Sequence, residues 1–283
     1  MSATSLDVRQ SITRDAIVGY ETAWSVSNLG AVQHRHGYDP SLLAVIREKA
    51  CAIKAEHAHR KHLDLTYVSG PDRYIPEIKE LINDKARIER LSEIAGTKLE
   101  PYPLSIVGST VTFMSPVDGA VDWHCDGVPI TELIPLEISD PIIGGELEIY
   151  LGNCEIGKAK VNRSEELPQS QLLRIPHRIG YSTLGHFLGV LHRTAPIKFG
   201  NRITLVLNYR SVERPYVDDN RLFYLAADND AEKGWIDEVA RDVMERQLPA
   251  YRAFEAKRTG AAAEQGSAMA MPASSVFEQR NSW

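Results

Sequence analysis

The chain has 283 residues, 43% hydrophobic and 25% charged, a balance that provides for a sizeable core and excludes a disordered or fibrous class. Its net charge of -6, from 32 Lys and Arg against 38 Asp and Glu, gives no basic excess for displacing counterions, so nucleic acid is not an expected partner. No stretch nears the roughly 18 apolar residues of a membrane span, the N-terminus lacks an apolar signal region, and Cys51, Cys125 and Cys154 cannot all pair, so a reducing cytoplasm with no membrane partner is expected.

The first thirty-odd residues are mixed in character, with "AIVGYETAW" (16–24) a weak strand candidate. Asp39 and Pro40 then suit a helix cap and first turn, and Leu42, Leu43, Ile46, Ala50 and Ile53 recur at helical spacing to about residue 60. After a "SGPDR" turn, residues 74–96 read as one or two helices stopped by Gly96. From about residue 103 the chain becomes rich in β-branched residues, and short strand-like runs follow one another between Gly, Pro, Asp and Asn turns. Such runs without intervening helices predict an antiparallel sandwich or barrel, most naturally a double-stranded β-helix, or jelly roll. "KAKVNRSEELPQSQ" (158–171) reads as a polar excursion between strands. Beyond Arg210 the pattern turns helical over 235–258, interrupted near Pro249. The expected layout is one catalytic unit over 1–258, with a helical region at 39–96, a jelly-roll core at about 103–210 and a helical region at 235–258. A flexible tail is expected over 259–283.

The stretch "VDWHCDG" (121–127) sets His124 and Asp126 two apart, on one face if the segment is a strand. Alone, such a pair could hold a metal, form a hydrogen bond or line a wet groove. His192 follows sixty-six residues after Asp126, Arg202 ten beyond that, and Thr204 at the next same-face position. A turn at Gly200 and Asn201 is expected to bring the arginine's strand alongside the histidine's. Two imidazoles and a carboxylate on one face of an octahedral metal leave three positions open, the arrangement of non-haem Fe(II) oxygenases. A 2-oxo acid can fill two and O2 the third, while a guanidinium and a hydroxyl can hold a distal carboxylate.

His124-Cys-Asp126, the run from His192 to Arg202, and Arg202-Ile-Thr204 together resemble the Fe(II)- and 2-oxoglutarate-dependent dioxygenase superfamily. "GGEL" (144–147) is also usual there, whereas Thr194 stands where valine is common. The resemblance covers about residues 105–210 and implies a jelly roll with Fe(II) on His124, Asp126 and His192. It further implies 2-oxoglutarate as cosubstrate on Arg202 and Thr204, O2 as oxidant, and hydroxylation of an unactivated C–H bond with release of succinate and CO2. A carboxylate at Asp126 disfavours halogenation, for which relatives carry glycine or alanine. A small molecule, such as an amino acid or biosynthetic intermediate, is the expected substrate. The alternatives are a protein side-chain hydroxylase of the same superfamily and a jelly-roll binding module without redox chemistry.

Other residues receive plainer readings. His186 lacks an arginine at the required offset, and His177 reads as a hydrogen-bonded strand histidine. His34, His36, His57, His59 and His62 suggest metal binding by type, but the last three sit at a helix end, where a solvated basic face is the simpler account. Cys125 and Trp123 are expected to face away from the ligands and pack, and Glu146 to be structural. Ser109, Thr110 and Thr112 precede the metal motif and could meet the C1 end of 2-oxoglutarate. Substrate contacts are expected from the N-terminal helices, "GVPIT" after Asp126, and the C-terminal helix.

Overall fold

The computed structural model describes residues 7–20, 25–61, 64–228 and 234–266. In chain order these form β1 (Val8–Thr13), α1 (Arg14–Val18), β2 (Leu29–Arg35), α2 (Pro40–His57), β3 (Thr66–Ser69), α3 (Pro76–Asn83), α4 (Lys85–Ala95) and β4 (Leu99–Pro101). The β-rich part follows with β5 (Ser109–Met114), β6 (Ile130–Ile138), β7 (Leu147–Tyr150), α5 (Cys154–Asn162), β8 (Leu172–Ile175), β9 (Tyr181–Gly185), β10 (His192–Thr194) and β11 (Arg202–Ser211). Helices α6 (Leu222–Asp228), α7 (Trp235–Asp242) and α8 (Leu248–Gly266) end the described chain.

Two antiparallel sheets face each other in a jelly roll. The large sheet runs β1-β2-β9-β6-β11-β5-β3, with β4 also on β11, and the small one runs β10-β7-β8. Register decides what each face carries. On β11, Arg202 and Thr204 stand opposite Met114 and Thr112 of β5, and Val206 and Asn208 opposite Leu133 and Thr131 of β6. These residues point between the sheets, because successive side chains of a strand alternate. Ile203, Leu205, Leu207 and Tyr209 point the other way, into the main hydrophobic core with Ile46, Ile78 and Leu91 of the helices. A second core between the sheets joins Ala31 and Leu133 to Leu147, Ile149, Ile175 and Phe187.

The helical layer forms where its caps dictate. The Asp39 carboxylate accepts from the Ser41 N–H at 2.9 Å with Pro40 in the first turn, and α2 buries Leu43, Ile46 and Ala50. Asp84 ends α3 and caps α4 by accepting from Arg87 N–H, so 76–95 is two helices. Gly96 closes α4 at φ 66°, a left-handed position that favours glycine.

Several expectations need correction. The large sheet begins well before residue 103: β1, β2 and β3 join it, as short strands whose polar residues blur the alternation. Residues 16–18 of the suggested strand at 16–24 lie in α1, capped by Thr13, and 21–24 lie outside the described residues. The excursion at 158–171 completes a helix, α5, capped by Asn153. The C-terminal interruption is a π-turn at Val243–Gln247, just before Pro249, and α8 continues to Gly266, eight residues past the expected boundary. Residues 267–283 lie outside the described residues. No helix among the described residues is long and apolar enough to cross a membrane.

Candidate metal centre

His124, Asp126 and His192 come together although the ligand segment is not a regular strand. It is held by two isolated bridges, His124 to His192 and Asp126 to Leu188. The first is reciprocal, with each histidine's N–H donating to the other's carbonyl at 2.9 Å, which sets the two rings side by side with centroids 4.2 Å apart. The donor atoms of all three residues lie within 4.8 Å of one another.

Each imidazole is oriented from behind. His124 Nδ1 is 2.7 Å from the Asp122 carbonyl, and His192 Nδ1 is 3.0 Å from that of Val190. A carbonyl only accepts, so both Nδ1 atoms carry the proton and both Nε2 lone pairs point inward. Those Nε2 atoms stand 3.3 and 3.4 Å from Asp126 Oδ1. The other oxygen, Oδ2, accepts from Thr131 Oγ1 at 2.6 Å, which fixes the carboxylate plane. Two lone pairs and an anionic oxygen converging on one point repel one another unless a cation lies between them. Where protons on the imidazoles take the place of that cation, the two rings more than reverse the burial that would raise the Asp126 carboxyl, and hold it well below the usual range. Burial likewise opposes charge on His124, and Asp126 outweighs it, so that imidazole is raised. His192 is buried against Phe187, whereas His124 and Asp126 are half-exposed, so the centre opens on their side.

Arg202 and Thr204 lie on the inner face of β11, but the expected neighbour is wrong. The arginine's strand belongs to the large sheet and His192's to the small one, because the 195–201 connection crosses between sheets, pinned by the Ile143–Phe199 bridge. The two meet across the interior instead, where Arg202 Nη2 donates to Thr194 Oγ1 at 3.4 Å and Nη1 donates to the Gly145 carbonyl. Arg202 is 2% exposed and has no carboxylate partner among the described residues; burial pushes it down to about 9, with Glu146 opposing from a distance. Its Nε and the Thr204 Oγ1 are buried without a hydrogen-bond partner. An unpaired buried cation beside an unsatisfied hydroxyl has the chemistry of an anion recess.

The polar strand residues divide by register. Thr110 and Thr112 lie on the inner face opposite Val206 and Thr204, whereas Ser109 faces the helices and bonds Asp72 Oδ1 at 2.5 Å. Cys125 and Trp123 turn away and pack with Tyr150, Cys154 and Leu191. His186 is engaged by Arg14 at 2.7 Å, and burial with that charge brings it to about 3. His57 stacks on Tyr74 and His59 meets the edge of Tyr67, so the helix end is not a solvated basic face; His62 lies outside the described residues. His34 and His36 are buried on the outer side of the large sheet, away from the three ligands. His177 is not a strand histidine: it sits in the turn after β8, and neither ring nitrogen has a hydrogen-bond partner. That residue and the orienting Thr131 escaped the motif; the alternation Leu173, Ile175, His177 was the available signal for the former.

No family model matches this chain, and no curated protein does. Solved structures do match. HygX from Streptomyces hygroscopicus, with nickel and 2-oxoglutarate bound, is 11% identical over 71% of this chain and 88% of its own, with a TM-score of 0.50. AviO1 from Streptomyces viridochromogenes Tue57 is 17% identical over 64% and 90%, with a TM-score of 0.49. A Pseudomonas putida prolyl-4-hydroxylase is 12% identical over 64% and 92%, with a TM-score of 0.46. At these identities the likeness is one of fold.

Proposed function

We propose that this chain is a non-haem Fe(II)- and 2-oxoglutarate-dependent oxygenase that hydroxylates an unactivated C–H bond of a small molecule. The observation that carries the reading is the convergence of two Nδ1-anchored imidazoles and a Thr131-oriented carboxylate on one point. That donor set suits Fe(II) and leaves one side open. The unpaired Arg202, across the same interior, suits the distal carboxylate of the cosubstrate. HygX, a structural neighbour in fold, was solved with nickel and 2-oxoglutarate bound.

Bound iron and 2-oxoglutarate would supply O2 activation and C–H oxidation, with the cosubstrate leaving as succinate and CO2. The chain's own contribution is positioning. Asp122 and Val190 carbonyls hold the imidazoles in one tautomer, Thr131 holds Asp126, and Phe187 shields His192 from water. Arg202 and Thr204 hold the far end of the cosubstrate, with Thr110 or Thr112 facing the same interior. Substrate approaches from the half-exposed side of His124 and Asp126, where the Asn220 side chain closes on Gly127 and hydrogen-bonds Tyr102. The acidic balance of the chain favours a small molecule over a nucleic acid.

Anaerobic titration with Fe(II) and then 2-oxoglutarate tests this reading. The wild type should develop a visible metal-to-ligand charge-transfer band that His192→Ala abolishes and Arg202→Ala weakens. A folded wild type with no band would leave a jelly-roll binding module as the account.

A further inference from the structure

The turn between β8 and β9 carries a histidine with shielded ring nitrogens that neither the metal centre nor the fold uses. Alternation continues past the end of β8: Leu173 and Ile175 face the core between the sheets, and His177 follows on the same side. Ile175 pairs with Leu147, two residues from the Gly145 whose carbonyl accepts from Arg202, so the turn lies at the arginine's end of the barrel. Gln33 Nε2 anchors it by donating to the Pro176 carbonyl at 2.7 Å. The residue as a whole is half-buried, yet both ring nitrogens are shielded from solvent and neither has a hydrogen-bond partner. Burial, then the nearby Arg202 charge, hold the imidazole well below its ordinary value, so the ring is neutral with one N–H to give.

Unsatisfied groups of this kind are tolerated where a ligand takes them up. Arg202 Nε, Thr204 Oγ1 and the His177 ring are three such groups at one end of one interior, and no acidic side chain forms an ion pair with Arg202 among the described residues. A carboxylate accepts from all three, since its two oxygens offer about four lone-pair sites.

We infer that His177 is a third donor to the distal carboxylate of the 2-oxo acid, beside Arg202 and Thr204. The inference rests on the oxygenase reading above and assigns the β8–β9 turn to cosubstrate selection. A neutral donor set behind the guanidinium favours a dicarboxylate over a 2-oxo acid of equal length with a methyl end.

The test compares 2-oxoglutarate with 2-oxopentanoate, each titrated anaerobically into the Fe(II)-loaded protein and read by the charge-transfer band. His177→Phe keeps the ring volume and removes the donor, whereas His177→Gln keeps a donor on a flexible chain. Loss of one hydrogen bond to a charged group predicts about ten- to a hundredfold weaker binding of 2-oxoglutarate by His177→Phe, with 2-oxopentanoate changed less than about twofold. His177→Gln should recover most of the loss; if His177→Phe does not fold, His177→Leu removes the donor in its place, with the same expected change in the ratio of the two acids. Equal weakening of both acids would make His177 a packing residue and overturn the inference, as would no change in either. A wild type with no band for either acid would remove the oxygenase reading itself, a result separate from an unaltered ratio.

Discussion

The two faces of the large sheet both bury charge, and they do so in opposite ways. On the outer face Glu132, 0% exposed, meets Arg87, 5% exposed, and Tyr38 and Tyr209 complete the set: Arg87 donates to Glu132, to both phenolic oxygens and to the Leu81 carbonyl, while Tyr38 donates to Glu132 Oε1 at 2.5 Å. Burial alone would raise the Glu132 carboxyl, yet Arg87 and Tyr38 hold it below its ordinary value. On the inner face Arg202, Thr204, Thr183 and Asn208 each keep a buried polar atom without a partner. The outer network is closed on itself and serves the fold. The inner one is open and suits a ligand. Saturation of hydrogen bonds, more than burial or charge, separates a structural polar cluster from a binding one.

The strongest perturbation falls on the outer face. Arg87→Met strands the Glu132 charge in the core and should cost about 3–5 kcal/mol of stability in denaturant unfolding, with metal affinity of the folded protein unchanged. The inner face should respond in the opposite sense. Arg202→Met removes an unpaired buried charge, so stability should hold or rise, while affinity for 2-oxoglutarate falls by about 2–4 kcal/mol of binding energy, read from the charge-transfer titration. If both arginines proved equally necessary for stability, the distinction between the faces would collapse.

A smaller effect sharpens the account of the metal centre. Thr131→Val removes the hydroxyl that fixes Asp126 and should weaken Fe(II) binding about 10- to 100-fold in a competition titration, with little change in melting temperature. Smallest is a pH dependence on the outer side. His36 Nδ1 accepts from the Tyr38 N–H at 2.9 Å, and burial lowers the imidazole to about 4. The unfolded chain takes up this proton as pH falls through about 6.5, but the folded chain only near 4, so stability present above pH 6.5 is lost across that window. Between pH 7 and 5 the His36 share of the loss should be about 1–2 kcal/mol, and His36→Asn should make the fall shallower by that amount in thermal melts, the shares of His186 and His177 remaining.

How much of this was legible in the sequence depended on the kind of signal. The helices from residue 39 to 96 could be read because Asp39, Pro40 and Gly96 act locally, through caps and φ preferences. The meeting of His124, Asp126 and His192 could be anticipated from spacing, since a jelly roll returns its strands to the same mouth. Pairing partners could not, because register is a long-range property: nothing in "GNRITLV" says that β11 lies between β5 and β6 and not beside β10. Strands β1 and β2 were missed because polar residues such as Gln10, Ser11, Gln33 and His34 break up their apolar pattern. His177 was misread because Pro176 ends the strand before it, although the alternation of Leu173, Ile175 and His177 runs on into the turn.

On the proposed function, His124, Asp126 and His192 hold one divalent metal ion. Anomalous diffraction from a crystal soaked anaerobically with Fe(II) tests it most directly. A single peak about 2.0–2.2 Å from His124 Nε2, Asp126 Oδ1 and His192 Nε2 is the predicted result. No peak between these atoms in a fully exposed crystal, or a peak on His57 and His59 instead, would contradict it.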